Sequence, residues 1–180
     1  YIKAMAIHAR TGMPVLADDS GLEVDVLDGA PGVYSARFAG VAATDALNRD
    51  ALRTAMQERG VTSSTGRFRC VLCYIDPLRT LFGVGSVEGQ VQNEERGAGG
   101  FGYDAMFVPT GHDRTFAEMS GEEKSSMSHR GAAVTDLARH IQAVVSGTGH
   151  AVVDDALPRT DALIMASVHA VTGKDERLRS

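Results

Sequence analysis

Apolar and polar positions change period several times along this chain, and each change marks an element. Ile2, Ala6, Ile7 and Ala9 recur at helical spacing over residues 2–11, and Gly12 is placed to end that helix. After Pro14, the short apolar run Val15-Leu16-Ala17 predicts a buried strand. It leads into Asp18-Asp19-Ser20-Gly21, whose residue types favour a turn. Leu22, Val24 and Val26 then alternate with Glu23 and Asp25, which predicts a strand with one buried face. Gly29-Ala30-Pro31-Gly32 breaks the periodicity as a loop.

Further on, Thr44 can cap a helix over 45–59, with Leu47, Ala51, Leu52, Ala55 and Met56 inward and Gly60 closing it. Residues 67–75 and 80–87 predict paired strands around an Asp76-Pro77 turn. Met106-Phe107-Val108 predicts another strand, ended by Pro109. Ser120 and Glu123 have the spacing of a capping box and open a short helix that carries Lys124. Ser128 caps a longer helix whose apolar stripe is Val134, Leu137, Ala138, Ile141, Val144 and Val145. Residues 146–161 read as a linker, 162–171 as a strand, and Thr172-Gly173-Lys174 as a turn into a helix.

Composition narrows the classes. The chain has 180 residues, enough for one domain with a sizeable core. Apolar residues make up 43% and charged residues 23%, a balance that fits a globular protein rather than a disordered one. The net charge of −5, with no basic run, argues against duplex nucleic acid as a partner, while an anionic small substrate needs only local positive charge or a metal. No apolar stretch is long enough to span a bilayer, and the cytoplasm is the expected compartment. Two cysteines cannot build a disulfide framework. Cys70 and Cys73 have C-x-x-C spacing, but on a strand they point to opposite faces and read as small buried hydrophobes.

Three stretches carry candidate chemistry. Asp18 and Asp19 repel one another, and neither is buried cheaply without a partner or a metal. The loop Gly97-Ala98-Gly99-Gly100-Phe101-Gly102-Tyr103-Asp104 lets backbone approach a ligand, with an aromatic to stack on a planar ring and an acid to bond it. No long helix follows it, so it is not a dinucleotide fingerprint. Lys124, His129 and Arg130 add cations, the last two in the first turn of a helix, where the dipole disfavours them and a nearby anion offsets the cost.

Together, PVLADDSGLEVDVLDGAPGVYSARFAG at 14–40, GGFGYDAMFVP at 99–109 and EEKSSMSHRG at 122–131 resemble the inosine/xanthosine triphosphate pyrophosphatase family, of the Ham1/RdgB type. The resemblance covers residues 1 to about 145, with the three motifs in the family's order. It implies an α/β fold, elongated and two-lobed, with a mixed central sheet flanked by helices, and a homodimer. It also implies Mg²⁺-dependent hydrolysis of ITP, dITP and XTP to the monophosphate and pyrophosphate. Carried onto matching positions, Asp19 is the metal-linked carboxylate and general base, Asp18 stands beside it, and Ser20 contacts substrate. Phe101 stacks on the purine, while Gly102, Tyr103, Asp104, Lys124, His129 and Arg130 line the nucleotide pocket, His129 and Arg130 towards the base.

The chemistry of that assignment is coherent. Mg²⁺ takes one or two carboxylates plus phosphate oxygens and waters. Donors from Arg130 and His129 suit the O6 of a 6-keto purine, whereas the amino group of adenine leaves them unpaired. The family pattern also includes a strand, a Thr/Ser-x-Asn-x-x-Lys phosphate loop and a metal-binding glutamate, expected upstream of Tyr1. Lys3-Ala4 matches the end of the Asn-Ala-x-x-Lys-Ala helix that comes next in the pattern, and Ala105 replaces a usual proline. Residues 146–180 have no counterpart in the pattern. Two readings are open: a nucleotide pyrophosphatase, or a nucleotide-binding protein of the same fold without turnover.

Overall fold

A computed structural model describes residues 1–147, so the strand and the Thr172-Gly173-Lys174 turn expected in the tail lie outside the described residues. The first helix, α1 (Ile2–Thr11), ends at Gly12, whose φ of 66° is the left-handed cap a glycine tolerates. Pro14 follows, and the chain enters β1 (Val15–Val24). The acidic pair therefore lies inside a strand and not in a turn. Pairing overrides local turn preference: Asp18 stands opposite Leu72 and Asp19 opposite Val71 in the antiparallel β2 (Ser63–Asp76). Gly21 is needed for a close approach, because a Cβ there would lie 2.3 Å from the Gly32 carbonyl oxygen. Val26 leaves the expected strand for a 3-10 turn over Asp25–Leu27.

Helix α2 (Asp45–Glu58) begins as expected, with the Thr44 hydroxyl accepting from the Leu47 amide at 3.3 Å. Leu52 and Met56 are buried, but Leu47 is exposed and Asn48 takes the buried position. Asn48 is satisfied there, donating to the Ala36 carbonyl and accepting from the Ala39 amide.

β2 and β3 (Arg79–Gln92) form a hairpin longer than the apolar alternation suggests, in register from Ser63–Gln92 to Asp76–Arg79. The added length is polar. Arg67 bonds Asp25 and Glu88, and Arg69 bonds Glu23, so ion pairs hold the far end where a hydrophobic pattern is blind. At the turn, the Asp76 carboxylate accepts from the Leu78 and Arg79 amides. β4 (Phe107–Pro109) pairs with β3 at Gly89–Val91. The sheet order is β1-β2-β3-β4, and every described pair is antiparallel, where the expectation was a mixed sheet. The α/β class stands; the hairpin at Asp76 forces antiparallel pairing, since parallel neighbours need a long crossover.

α3 (Gly121–Met127) opens with the predicted capping box, Ser120 and Glu123 each accepting from the other's amide. α4 (His129–Val145) follows, capped by the Ser128 hydroxyl on the Gly131 amide. Its buried line is Ala133 and Leu137, packed with Cys70, Leu72 and Leu81, while Val134, Ile141 and Val145 are exposed. The predicted stripe is thus rotated. Gly83 and Gly85 in β3 explain the shift: a Cβ at Gly85 would sit 2.2 Å from the His129 carbonyl oxygen, so the helix backbone rests directly on the strand. The main core joins Leu22, Val24, Leu52, Met56, Phe107 and Phe116, and a smaller cluster under α1 joins Ala4, Cys73 and Ile75. Cys70 and Cys73 accordingly belong to different clusters on opposite faces. Among the described residues, no helix is long and apolar enough to cross a membrane.

Candidate active site

β1 is an edge strand of the described sheet, and it presents its two aspartates to opposite faces. On the α4 face, the Arg130 Nε donates to Asp18 Oδ2 at 2.9 Å, and the Ser20 hydroxyl donates to the same oxygen at 3.1 Å. The Cys70 thiol lies 3.5 Å from it. Burial pushes the Asp18 carboxyl up, but Arg130, by hydrogen bond and charge, together with Cys70 and Ser20, outweighs this and holds it below its ordinary value. Burial, aided by the Asp18 charge, pushes the Cys70 thiol up to about 11, which keeps it protonated.

On the opposite face, the Lys3 Nζ of α1 pairs with Asp19 Oδ1 at 2.5 Å and also lies 3.3 Å from the Asp18 carbonyl oxygen. One lysine thereby reaches both the strand edge and the carboxylate. Lys3 is not among the residues that the sequence singles out as forming the site. The signal that could have found it is the order helix, Gly12, Pro14, strand, which folds α1 back over the strand bearing the acids.

The glycine-rich loop brings the aromatic to the same face as Arg130. Phe101 is 58% exposed, with the Lys124 ammonium 4.5 Å and the Arg130 guanidinium carbon 5.2 Å from its ring centroid. Asp104 is buried; its Oδ2 accepts from the Phe101 amide at 2.8 Å and from Lys124 Nζ at 2.5 Å. That carboxylate therefore aims both the loop backbone and the lysine. Gly102 turns the chain at φ 61°. Tyr103 points inward, its hydroxyl donating to the Ser35 carbonyl at 2.8 Å, and burial pushes its phenol up so that it stays a neutral donor. Tyr103 supports the loop from below.

His129 is buried, with its ring stacked on Phe68 at 4.9 Å between centroids. Burial, and then the charges of Arg130 and Lys124, push its imidazole down to about 4 against an opposing pull from Asp18. It is neutral at pH 7, and its Nδ1 has no hydrogen-bond partner among the described residues. The structure thus gathers Asp18, Ser20, Phe101, Asp104, Lys124, His129 and Arg130 on one face and sets Asp19 with Lys3 on the other.

Among the described residues, no group of three or more His, Cys, Asp or Glu side chains is arranged to hold a metal. The aspartates diverge and each is already paired with a cation. One carboxylate, Asp18 or Asp19, is what this strand could offer a cation, with an anionic ligand and waters completing the shell. A cleft of about 770 Å³, lined by Arg69, Cys70, Ser86, Ser128, Gly131 and Thr135 among others, adjoins this cluster: Cys70 reaches Asp18, and Ser128 and Gly131 flank His129 and Arg130 in the chain.

Comparison with known proteins bears on this cluster. Relatives called dITP/XTP pyrophosphatase include one from Desulforamulus reducens, 48% identical over 133 residues, covering 73% of this chain and 66% of the relative. Another, from Methylococcus capsulatus, is 42% identical over 149 residues, covering 81% of this chain and 74% of the relative. Among solved structures, a Ham1 protein from Coxiella burnetii superposes with a TM-score of 0.72 at 40% identity, covering 78% of this chain and 73% of that one. The Staphylococcus aureus Ham1 protein gives 0.70 at 35% identity, covering 82% and 74%. The chain therefore spans about two thirds to three quarters of the length of these proteins. The Ham1 family model matches residues 1–140, the stretch that holds all of these side chains, and the chain belongs to the Ham1 family.

Proposed function

We propose that this protein hydrolyses the deaminated purine nucleoside triphosphates ITP, dITP and XTP to the monophosphate and pyrophosphate, with Mg²⁺. The observation that carries the reading is the exposed Phe101 ring beside two cations, Lys124 and Arg130, with Arg130 bonded to Asp18 of β1. Relatives called dITP/XTP pyrophosphatase support the same substrate class.

The purine stacks on Phe101, an arrangement that suits any base. Selection comes from donors: Arg130 offers N–H groups to a 6-keto oxygen, and adenine, with an amino group there, leaves them unpaired. His129 is neutral, so it adds a directional hydrogen bond without adding charge. Lys3 and Lys124 set positive charge on either side of β1 for a polyanionic ligand. Water attacks the α-phosphorus, its proton passes to the Asp19 carboxylate, and the α–β anhydride bond breaks to release pyrophosphate. Asp19 is the residue to hold Mg²⁺, which when bound neutralises phosphate charge and polarises the phosphorus. Homodimeric assembly and a cytoplasmic location accompany this reading on the strength of the family resemblance; light scattering of the purified protein tests the first.

Pyrophosphate release from ITP, XTP, GTP and ATP, with and without Mg²⁺, is the test. Preference for ITP and XTP, lost in Asp19→Asn, is the expected result. Equal rates on all four, or full activity in Asp19→Asn, overturns the reading. Tight ITP binding without release identifies a nucleotide-binding protein instead.

A further inference from the structure

Helix α2 holds two charged residues that the proposed chemistry does not use, and both reach the loop that carries Phe101. Asp45, in the first turn, accepts from the Gly102 amide through Oδ2 at 2.7 Å. One turn on, Arg49 Nη1 donates to the Gly102 carbonyl oxygen at 2.9 Å. Both main-chain groups of one glycine are thus taken by side chains of a single helix. Arg49 is itself held: its Nε donates to Glu95 Oε2 at 2.8 Å, and Glu95 Oε1 accepts from Arg53 at 2.5 Å.

The consequence falls on Phe101. Its own amide donates to Asp104, and the amide of the next residue donates to Asp45. The peptide groups on either side of the ring-bearing carbon are therefore each fixed by a different carboxylate. One comes from the loop itself and one from α2. Gly102 has a φ of 61° and open space where a side chain would project, so packing does not restrain it; the hydrogen bonds do. An exposed aromatic is useful as a stacking platform only if its backbone is rigid, and here the ring itself is touched by the two cations while its backbone is held by hydrogen bonds.

We infer that Asp45 and Arg49 are positioning residues for the base platform, acting through the backbone of Gly102 on the ring of Phe101. The inference deepens the nucleotide reading and rests on it for the ligand, but the pinning itself does not depend on any ligand. Asp45 and Arg49 act through the main chain of Gly102. They set the orientation of the ring, so their loss weakens nucleotide binding and leaves the phosphate chemistry intact.

Two measurements on the full chain test this. Amide hydrogen exchange by NMR, without nucleotide, compares wild type with Asp45→Ala. The Gly102 amide is expected to lose protection, while the Phe101 amide and the helical amides of Leu52 and Met56 keep theirs. Uniform loss across α2 shows a merely structural role and overturns the inference. Kinetics with ITP then follow: Asp45→Ala and Arg49→Gln are each expected to raise KM about tenfold with kcat within about twofold of wild type. Asp45→Asn retains an acceptor oxygen and is expected to restore most of the loss. In a Phe101→Ala background, Asp45→Ala adds no further change, because its route to the base is gone. Additive effects in that background, or a fall in kcat at unchanged KM, overturn the inference. If Asp45→Ala does not fold, Arg49→Gln alone decides by the same KM split and the same Phe101→Ala background. A wild type that neither binds nor turns over ITP defeats the nucleotide reading and the role assigned to the platform, whereas the exchange result still reports whether Gly102 is pinned.

Discussion

Asp18 and Asp19 are neighbours in β1 yet pair with cations on opposite faces of the sheet, Asp18 with Arg130 and Asp19 with Lys3. A strand makes this unavoidable, because successive side chains alternate. It also removes the repulsion that adjacent carboxylates suffer in a turn, since the two charges diverge and each gains a partner. The consequence is a division of labour across one edge strand: the Asp18 face carries the aromatic and the guanidinium, and the Asp19 face carries the lysine of α1.

That division predicts different kinetic signatures for the two aspartates. Asp19→Asn removes the proposed proton acceptor and is expected to lower kcat by about 10²–10⁴-fold with little change in ITP affinity. Asp18→Asn removes the charged partner of Arg130 and is expected to weaken binding about tenfold, with the smaller effect on kcat. Single-turnover pyrophosphate release alongside equilibrium ITP binding separates the two. A common loss of kcat in both variants contradicts the division.

The ion pair of Lys124 with Asp104 has side chains 16% and 4% exposed, so it is nearly dry. Removing the lysine leaves an uncompensated carboxylate inside the protein. Lys124→Met is expected to cost about 3–5 kcal/mol of stability, and adding Asp104→Asn in the same chain is expected to recover a large part of it. Urea unfolding of the two single variants and the double variant checks this. If the double variant is no more stable than Lys124→Met, the lysine acts by packing and not by charge.

How much of this is legible from sequence depends on what kind of force fixes each element. The helices are legible because their ends are local: Gly12 caps α1, Thr44 caps α2, and the Ser120–Glu123 box opens α3. Strand β1 is misread through Asp18-Asp19-Ser20-Gly21, since local preference favours a turn and only the partner strand and the two distant cations make a strand acceptable. The polar ends of β2 and β3 escape for the same reason, as Arg67 and Arg69 meet their acids across strands. Of the site, Phe101, Asp104, Lys124, His129 and Arg130 are all recognisable from their motifs and converge on one face. Lys3, Asp45 and Arg49 are not, because each acts through a backbone or a carboxylate that only the folded chain brings near.

The contact between α4 and β3 offers a sharper packing test. A Cβ at Gly85 would lie 2.2 Å from the His129 carbonyl oxygen and 2.4 Å from the Ala133 nitrogen, both backbone atoms that cannot swing aside. Gly85→Ala is expected to cost about 1–3 kcal/mol, as overpacking does, and to displace the first turn of α4. Because that turn carries His129 and Arg130, ITP affinity is expected to fall with stability. Thermal unfolding and ITP binding on one preparation check both; unchanged binding shows that the first turn keeps its place.

His129 is expected to give stability a pH dependence between about 4 and 6.5. Its imidazole is pushed down from 6.5 to about 4 by burial and by the neighbouring charges of Arg130 and Lys124. In that interval the unfolded chain binds a proton at this residue and the folded chain does not, so unfolding takes up a proton and stability rises with pH. The contribution is fully present above about pH 6.5 and is lost as pH falls towards 4, amounting to on the order of 3 kcal/mol. Asp18, held below its ordinary 3.8, loses its contribution at lower pH still. Denaturant unfolding from pH 4 to 7 is therefore expected to show a positive slope in wild type that flattens in His129→Gln. Equal slopes in the two proteins would mean that the imidazole takes up its proton at the same pH folded and unfolded, so that burial and the neighbouring cations do not hold it down.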